Sequence, residues 1–138
     1  MENTKPILII DGQGGGMGRA LITQLRAAGC TREILAVGAN AAATAAMRKA
    51  GATAGATGEN AVLVNAPRAA VIAGPLGIVL ADSLLGECTA AMAAAVARSP
   101  AHKVLVPVSR CGVAVAGVEE MPLADYITDA VRHILALI

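Results

Sequence analysis

At 138 residues the chain fits one ordinary domain, with room for a real core but not for a nucleotide domain plus a separate substrate domain. Hydrophobic residues make up 56% and mean hydropathy is +0.64; yet the longest apolar stretch, Val71 to Ala81, is broken by Gly74, Pro75 and Gly77 and falls short of the roughly 20 residues that span a membrane. The net charge of +1 is spread evenly, and with one Tyr and no Phe or Trp the chain lacks both the basic stripe and the stacking platform of a nucleic-acid binder.

The opening MENTKP is polar and lacks the basic and apolar regions of a secretory leader, so a cytoplasmic location is expected. Pro6 to Ile10 is a short, continuously apolar run, the pattern of a strand buried on both faces of a parallel sheet. The stretch GQGGGMG, Gly12 to Gly18, ends it. From there Met17, Leu21, Leu25 and Ala28 fall at helical spacing, and Gly29 supplies a stop.

Glu33 to Val37 reads as a second strand, closed by GAN at Gly38 to Asn40, and an alanine-rich helix runs on to Ala50. A short helix is expected from Gly58 or Glu59 to Asn65, then a third strand over Ala70 to Ala73 ending at GPLG, Gly74 to Gly77. Ile78 to Leu85 fits helix or strand equally. Thr89 is a good N-cap for a helix over Ala90 to Arg98, terminated by Ser99 and Pro100. Lys103 to Val108 reads as a fourth strand, Val113 to Val118 as a shorter fifth, and Leu123 to Ile138 as a final helix whose apolar stripe includes Tyr126, Ile127, Val131 and Ile134. This alternation predicts an α/β fold: a single Rossmann-like, doubly wound domain over residues 1–138, its mostly parallel sheet of about five strands covered by helices on both faces. Such sheets bind ligands beyond the carboxyl ends of their strands.

Five of the seven residues from Gly12 to Gly18 are glycine. The dinucleotide spacing G-x-G-x-x-G fails because Met17 stands third, whereas Gly12, Gly16 and Gly18 give G-x-x-x-G-x-G, resembling short-chain dehydrogenases. Glycines permit positive φ and a close backbone approach to a diphosphate, and free amides at the helix start face an anion. The loop Gly12, Gln13, Gly14, Gly15, Gly16, Met17 and Gly18 is therefore expected to hold a phosphate, the alternative being a turn that happens to be glycine-rich. No Gly-Lys-Ser/Thr follows, so it is not a Walker loop. Asp11, just before the glycines, could hold a ribose hydroxyl or a metal-bound water, or cap the loop's own amides. Where an NAD domain places an acid after its second strand, this chain has Asn40 and no neighbouring Arg, so NAD(P) or another nucleotide is only weakly indicated. Tyr126 lacks a Lys four residues on, Ala130 standing there, which removes the hydride chemistry of short-chain dehydrogenases.

Other polar islands are few. Thr57, Gly58, Glu59 and Asn60 are either a helix cap or a second anion loop; ATG followed by GPLG also resembles methylglyoxal synthase, whose corresponding loops handle phosphate and substrate. Gly74, Pro75 and Gly77 would then shape the pocket. Asp82 and Glu87 could form an acid/base pair or be solvated. His102 and His133 read as structural. Cys111, beside Arg110, is either a strand-tip nucleophile or an inert small hydrophobe. Cys30, Cys88 and Cys111 are odd in number and widely spaced, which argues for reduced thiols and no metal site.

The blocks IDGQGGGMG, AVGAN, GATGENAVLVNA, GPLGIVLADSLLGE and VLVPVSRC together are similar to a family of small bacterial proteins, domain of unknown function 3842. The similarity spans nearly the whole chain and implies a single Rossmann-like domain without an established activity. Related sequences tend to read G-T-N after the second strand, where this chain has Ala39. The leading expectation is a protein that binds a phosphorylated small molecule or nucleotide, as a sensor or carrier. The alternatives are a small enzyme using the same pocket, with Asp11, Glu59, Asp82 or Cys111 as acid, base or nucleophile, and a structural oligomer with no ligand. A core of small side chains buries little area per residue, so a homodimer or higher homo-oligomer is expected, through Thr89 to Arg98 and Ile78 to Leu85.

Overall fold

The computed structural model describes residues 4–108 and 111–138. Five strands, β1 (Ile7–Asp11), β2 (Ile34–Gly38), β3 (Ala54–Thr57), β4 (Val71–Pro75) and β5 (His102–Val106), form one sheet. Their order is β3-β2-β1-β4-β5, and every adjacent pair is parallel. The helices are α1 (Gly16–Ala27), α2 (Ala41–Lys49), α3 (Glu59–Asn65), α4 (Ala90–Arg98) and α5 (Leu123–Leu137).

Alternation along β1 divides the core in two. Ile7 and Ile9 pack with Leu21, Leu25, Met47, Ile127 and Ile134 beneath α1, α2 and α5. Leu8 and Ile10 pack with Val62, Ile72, Met92 and Val96 beneath α3 and α4. A strand covered on both faces has no polar side to show, and every residue of β1 and β4 is buried. The doubly wound α/β architecture is thus the one expected. Because β1 leads to one face and its neighbour β4 to the other, the sheet's switch point, where such folds open a crevice, lies between their carboxyl ends. The two strands approach closely there: a Cβ on Gly74 would stand 2.2 Å from the Ile10 carbonyl oxygen.

Three elements differ from the sequence reading. The strand β3, AGAT, was not expected, because it is an edge strand of small, mostly exposed residues and so carries no hydrophobic period. Val113 to Val118 is not a strand: its apolar residues are exposed, and a turn closed by the Val118 amide on the Val115 carbonyl at 3.3 Å interrupts it, with Gly117 at φ 82. Ile78 to Leu85 is neither helix nor strand. It holds the end of a 3-10 turn, Leu76–Val79, and the start of another, Leu84–Gly86, with Asp82, Leu84 and Leu85 at positive φ. Among the described residues no helix is long and apolar enough to cross a membrane.

Candidate functional site

The glycine loop joins β1 to α1 at the switch point. Its five glycines divide by physical role. Gly12, Gly15 and Gly18 are closely packed: a Cβ would lie 2.8 Å from the Glu87 side-chain Oε1 at Gly12, 2.8 Å from the unyielding Ala43 backbone at Gly15, and 2.4 Å from the Met47 side-chain Sδ at Gly18. Gly15 also has φ 72, which favours glycine. Gly14 and Gly16 differ. Neither has positive φ, and an added Cβ at either would meet nothing within 4 Å. The close-packing triplet is therefore Gly12, Gly15 and Gly18, not the Gly12, Gly16 and Gly18 that spacing suggested.

The loop's amides divide the same way. The buried Asp11 carboxylate accepts from Gly12 at 2.8 Å and Gly18 at 2.7 Å, and also takes the Met17 amide. Gln13 donates to Glu87 Oε1 at 2.6 Å, and Gly15 to the Gly12 carbonyl at 2.9 Å. Among the described residues, the amides of Gly14 and Gly16 have no acceptor; both residues are exposed. Asp11 is thus an internal anion at the helix N-terminus, the capping role foreseen for it. Burial pushes its carboxyl above the ordinary 3.8, the three amides oppose that, and the nearby Glu87 adds to it.

Asn40 is fully engaged. Its carbonyl caps α2 through the Ala43 amide at 2.9 Å, and its Nδ2 donates to the Gln13 carbonyl at 2.9 Å and to Glu87 Oε2 at 2.6 Å. It braces the glycine loop and, in this arrangement, has both Nδ2 protons engaged, leaving no donor for a 2′-phosphate. Glu87, weighed in sequence only as a partner of Asp82, is the residue that spacing could not place: 74 residues separate it from Gln13. Asp82 is exposed on its own left-handed backbone.

The remaining candidates make no hydrogen bond to the glycine loop among the described residues. Thr57 shares a hydrogen bond of 2.7 Å with Thr44, Gly58 donates to the Gly38 carbonyl at 2.9 Å, and Asn60 is exposed; all three sit at the end of the edge strand β3. Glu59 accepts from the Thr89 hydroxyl at 2.6 Å, tying α3 to α4. Gly74, Pro75 and Gly77 are buried, which gives them packing roles at the end of β4, and the Gly77 carbonyl accepts from the Ser83 hydroxyl. Cys111 is exposed at φ 49; Arg110, invoked as its activator, lies outside the described residues. Cys88 is buried, and burial first, with Asp82 and Cys111 adding to it, pushes its thiol up. A groove of about 810 Å³ lies between β5, residues 115–121 and α5, lined by Val104, Val115, Val118, Met121 and Tyr126 among others. None of the predicted site residues lines it.

The model of a family described as "Domain of unknown function (DUF3842)" matches residues 6–138. Among curated proteins nothing matches. A solved structure similar to this chain is that of a dodecameric FMN-dependent UbiX-like decarboxylase from Escherichia coli O157:H7, with 20% identity, coverage of 95% of this chain and 76% of that chain, and a TM-score of 0.46.

Proposed function

We propose that this chain, which belongs to the family of domain of unknown function DUF3842, binds a small molecule through one phosphoryl group at Gly14 and Gly16. One observation carries the reading: two glycines that neither packing nor φ requires present unpartnered, exposed amides at the start of a helix, on the carboxyl edge of a parallel sheet. Bare backbone open to solvent is what an anion needs in order to approach closely. The loop as folded has donors for one phosphoryl group, not for the whole of a dinucleotide's diphosphate, because Asp11, Glu87 and the Gly12 carbonyl hold the others. A mononucleotide or sugar phosphate is the ligand class that suits it.

A thermal-shift series with ATP, NAD, NADP, cyclic nucleotides and sugar phosphates tests this, since a ligand of the native state must raise the melting temperature. The hit is expected to be lost in Gly16→Leu, whose side chain would occupy the open space beside the two donors without meeting any neighbour within 4 Å. A series with no hit removes the proposal. An enzyme acting on the same ligand is favoured by one feature only. Of the four candidate groups, Asp11 alone bonds to the loop, and turnover of a hit that is abolished by Asp11→Asn would select that reading.

Self-association belongs to the same proposal, but through a different surface from the one composition suggested. The α4 face bearing Met92, Ala93 and Val96 is buried. The support comes instead from Val113, Val115, Val118 and Met121, all exposed in the segment before α5, and from exposed Leu123 at its first position.

A further inference from the structure

The Gln13 amide and the Asn40 side-chain amide converge on one spot, and a carboxylate from a distant segment already holds it. Glu87 Oε1 accepts from Gln13 at 2.6 Å and Oε2 accepts from Asn40 Nδ2 at 2.6 Å. These donors are as independent of the helix start as the loop allows: one is a loop amide next to the free Gly14, and the other is a side chain fixed by its own bonds to Gln13 and Ala43. Two fixed donors on one carboxylate make a place that accepts an anion, with Glu87 as its present occupant.

Glu87 reaches the spot from a segment tied at its base and closed at its tip by two turn hydrogen bonds, the Gly86 amide on the Ser83 carbonyl and the Glu87 amide on the Leu84 carbonyl, both at 3.1 Å. The base is held by the Ser83 hydroxyl on the Gly77 carbonyl and by the Asp82 amide on the Cys88 carbonyl at 2.7 Å. At the tip, Leu84 and Leu85 both stand at φ 57, a region that costs an L-residue about 1 kcal/mol or more, and the Leu85 side chain is 94% exposed. Leu84 is buried and anchors the turn, whereas Leu85 and Gly86 are exposed and Glu87 is half-buried, so little packing opposes a swing of the Glu87 side chain with the exposed side of the turn. A ligand anion arriving at Gln13 and Asn40 would replace one negative group by another, so the field around the buried Asp11 would change less than if an anion were added.

We propose that the Gln13 amide and Asn40 Nδ2 form a second anion subsite, masked in the free chain by Glu87, so that the full ligand carries two adjacent anionic groups, the second displacing that carboxylate. A diphosphate, or a phosphate next to a carboxylate, has this chemistry. The inference rests on the reading that Gly14 and Gly16 hold the first phosphoryl group.

Inorganic pyrophosphate and inorganic phosphate, titrated into the ¹⁵N-labelled wild-type chain and into Glu87→Ala and Glu87→Gln, test it by amide shifts. If Glu87 masks the subsite nine-tenths of the time, its removal should tighten pyrophosphate about tenfold, because apparent affinity scales with the open fraction. Inorganic phosphate should gain less. Glu87→Gln, which keeps an acceptor without the charge, should fall between. Gln13, Gly14 and Gly16 should all shift with pyrophosphate, and in the wild type Leu85 and Gly86 should shift as the tip departs. Shifts at Gly14 and Gly16 without Gln13, or equal affinity in all three proteins, overturn the second subsite and leave the first standing. Shifts at Gln13 alone support the second subsite and overturn the first. No shift at any of the three overturns both.

Discussion

Gly15 and Gly16 are neighbours with opposite requirements. A methyl group at Gly15 would meet the Ala43 backbone at 2.8 Å on a residue with φ 72, whereas at Gly16, the first residue of α1, it would meet nothing within 4 Å. Gly15→Ala should therefore destabilise the fold by more than about 1 kcal/mol, and Gly16→Ala should leave it unchanged or raise stability by up to about 1 kcal/mol through the unfolded chain. Urea denaturation of the two variants checks this; equal losses would mean that the loop's glycines share one structural role. The run of five glycines was legible as a strand-to-helix turn, but which three of them packing demands was not. Their neighbours Ala43, Met47 and Glu87 come from other elements, and a one-dimensional spacing holds no record of them. Asp11 gives a second prediction. An acid whose pKa rises on folding binds more protons in the native than in the unfolded chain, so the stability it contributes falls as pH climbs from the ordinary 3.8 through the raised native value. Relative to Asp11→Asn, the wild type should thus lose stability over that window, the reverse of a salt-bridged acid. Denaturation curves for both proteins from acid to neutral pH give the difference, and one that stays flat or grows with pH contradicts burial as the dominant influence on Asp11.

At the carboxyl end of α1, one side chain ties together two neighbouring turns. Arg26 donates from Nε to the Gly51 carbonyl at 3.0 Å, from one terminal nitrogen to the carbonyls of Cys30 and Arg32 at 3.0 and 2.8 Å, and from the other to Thr53 Oγ1 at 3.1 Å. That planar fork connects the turn before β2 to the turn before β3, and a lysine ammonium cannot reproduce its geometry. Arg26→Ala is expected to lower stability by roughly 1.5–3 kcal/mol, the range for hydrogen bonds to a charged group, and Arg26→Lys should recover less than half of the loss. Thermal melts of the pair decide it; full recovery by Lys would show that charge alone matters there. The element paired with this clamp, β3, is also the one that periodicity failed to announce. Buried β1 and β4 write their position in unbroken apolar runs, but AGAT is an edge strand whose small residues let the Arg48 and Thr44 side chains close over Gly55, and its pairing with β2 is a backbone matter. The converse error has the same origin. Val113 to Val118 is a valine-rich apolar run that reads as a strand, yet among the described residues it joins no sheet, and such a run records only which side chains are apolar, not whether a ladder exists for them.

At the scale of the molecule, apolar surface and the glycine loop are segregated. The loop lies at the end of β1, the sheet's middle strand, whereas exposed Val113, Val115, Val118 and Met121 precede α5, exposed Leu123 begins it, and exposed Leu137 and Ile138 lie at its end. The groove beside α5 runs along β5, the strand at the edge of the sheet. Exposed apolar side chains beside an edge strand offer a surface for association, and a stable interface needs to cover about 800 Å² on each partner. Sedimentation velocity at micromolar concentration should accordingly find a dimer. Placing charges in the patch, with Val118→Glu and Leu123→Glu together, should shift it to monomer without changing the circular dichroism spectrum, since both side chains are already exposed. The double variant should also keep the wild-type ligand affinity, because no residue of the patch hydrogen-bonds to the glycine loop. A wild-type monomer at every concentration removes the self-association. A dimer that survives both charges moves the interface elsewhere, and a monomeric variant that no longer binds ligand would mean that the glycine loop is complete only in the assembled form.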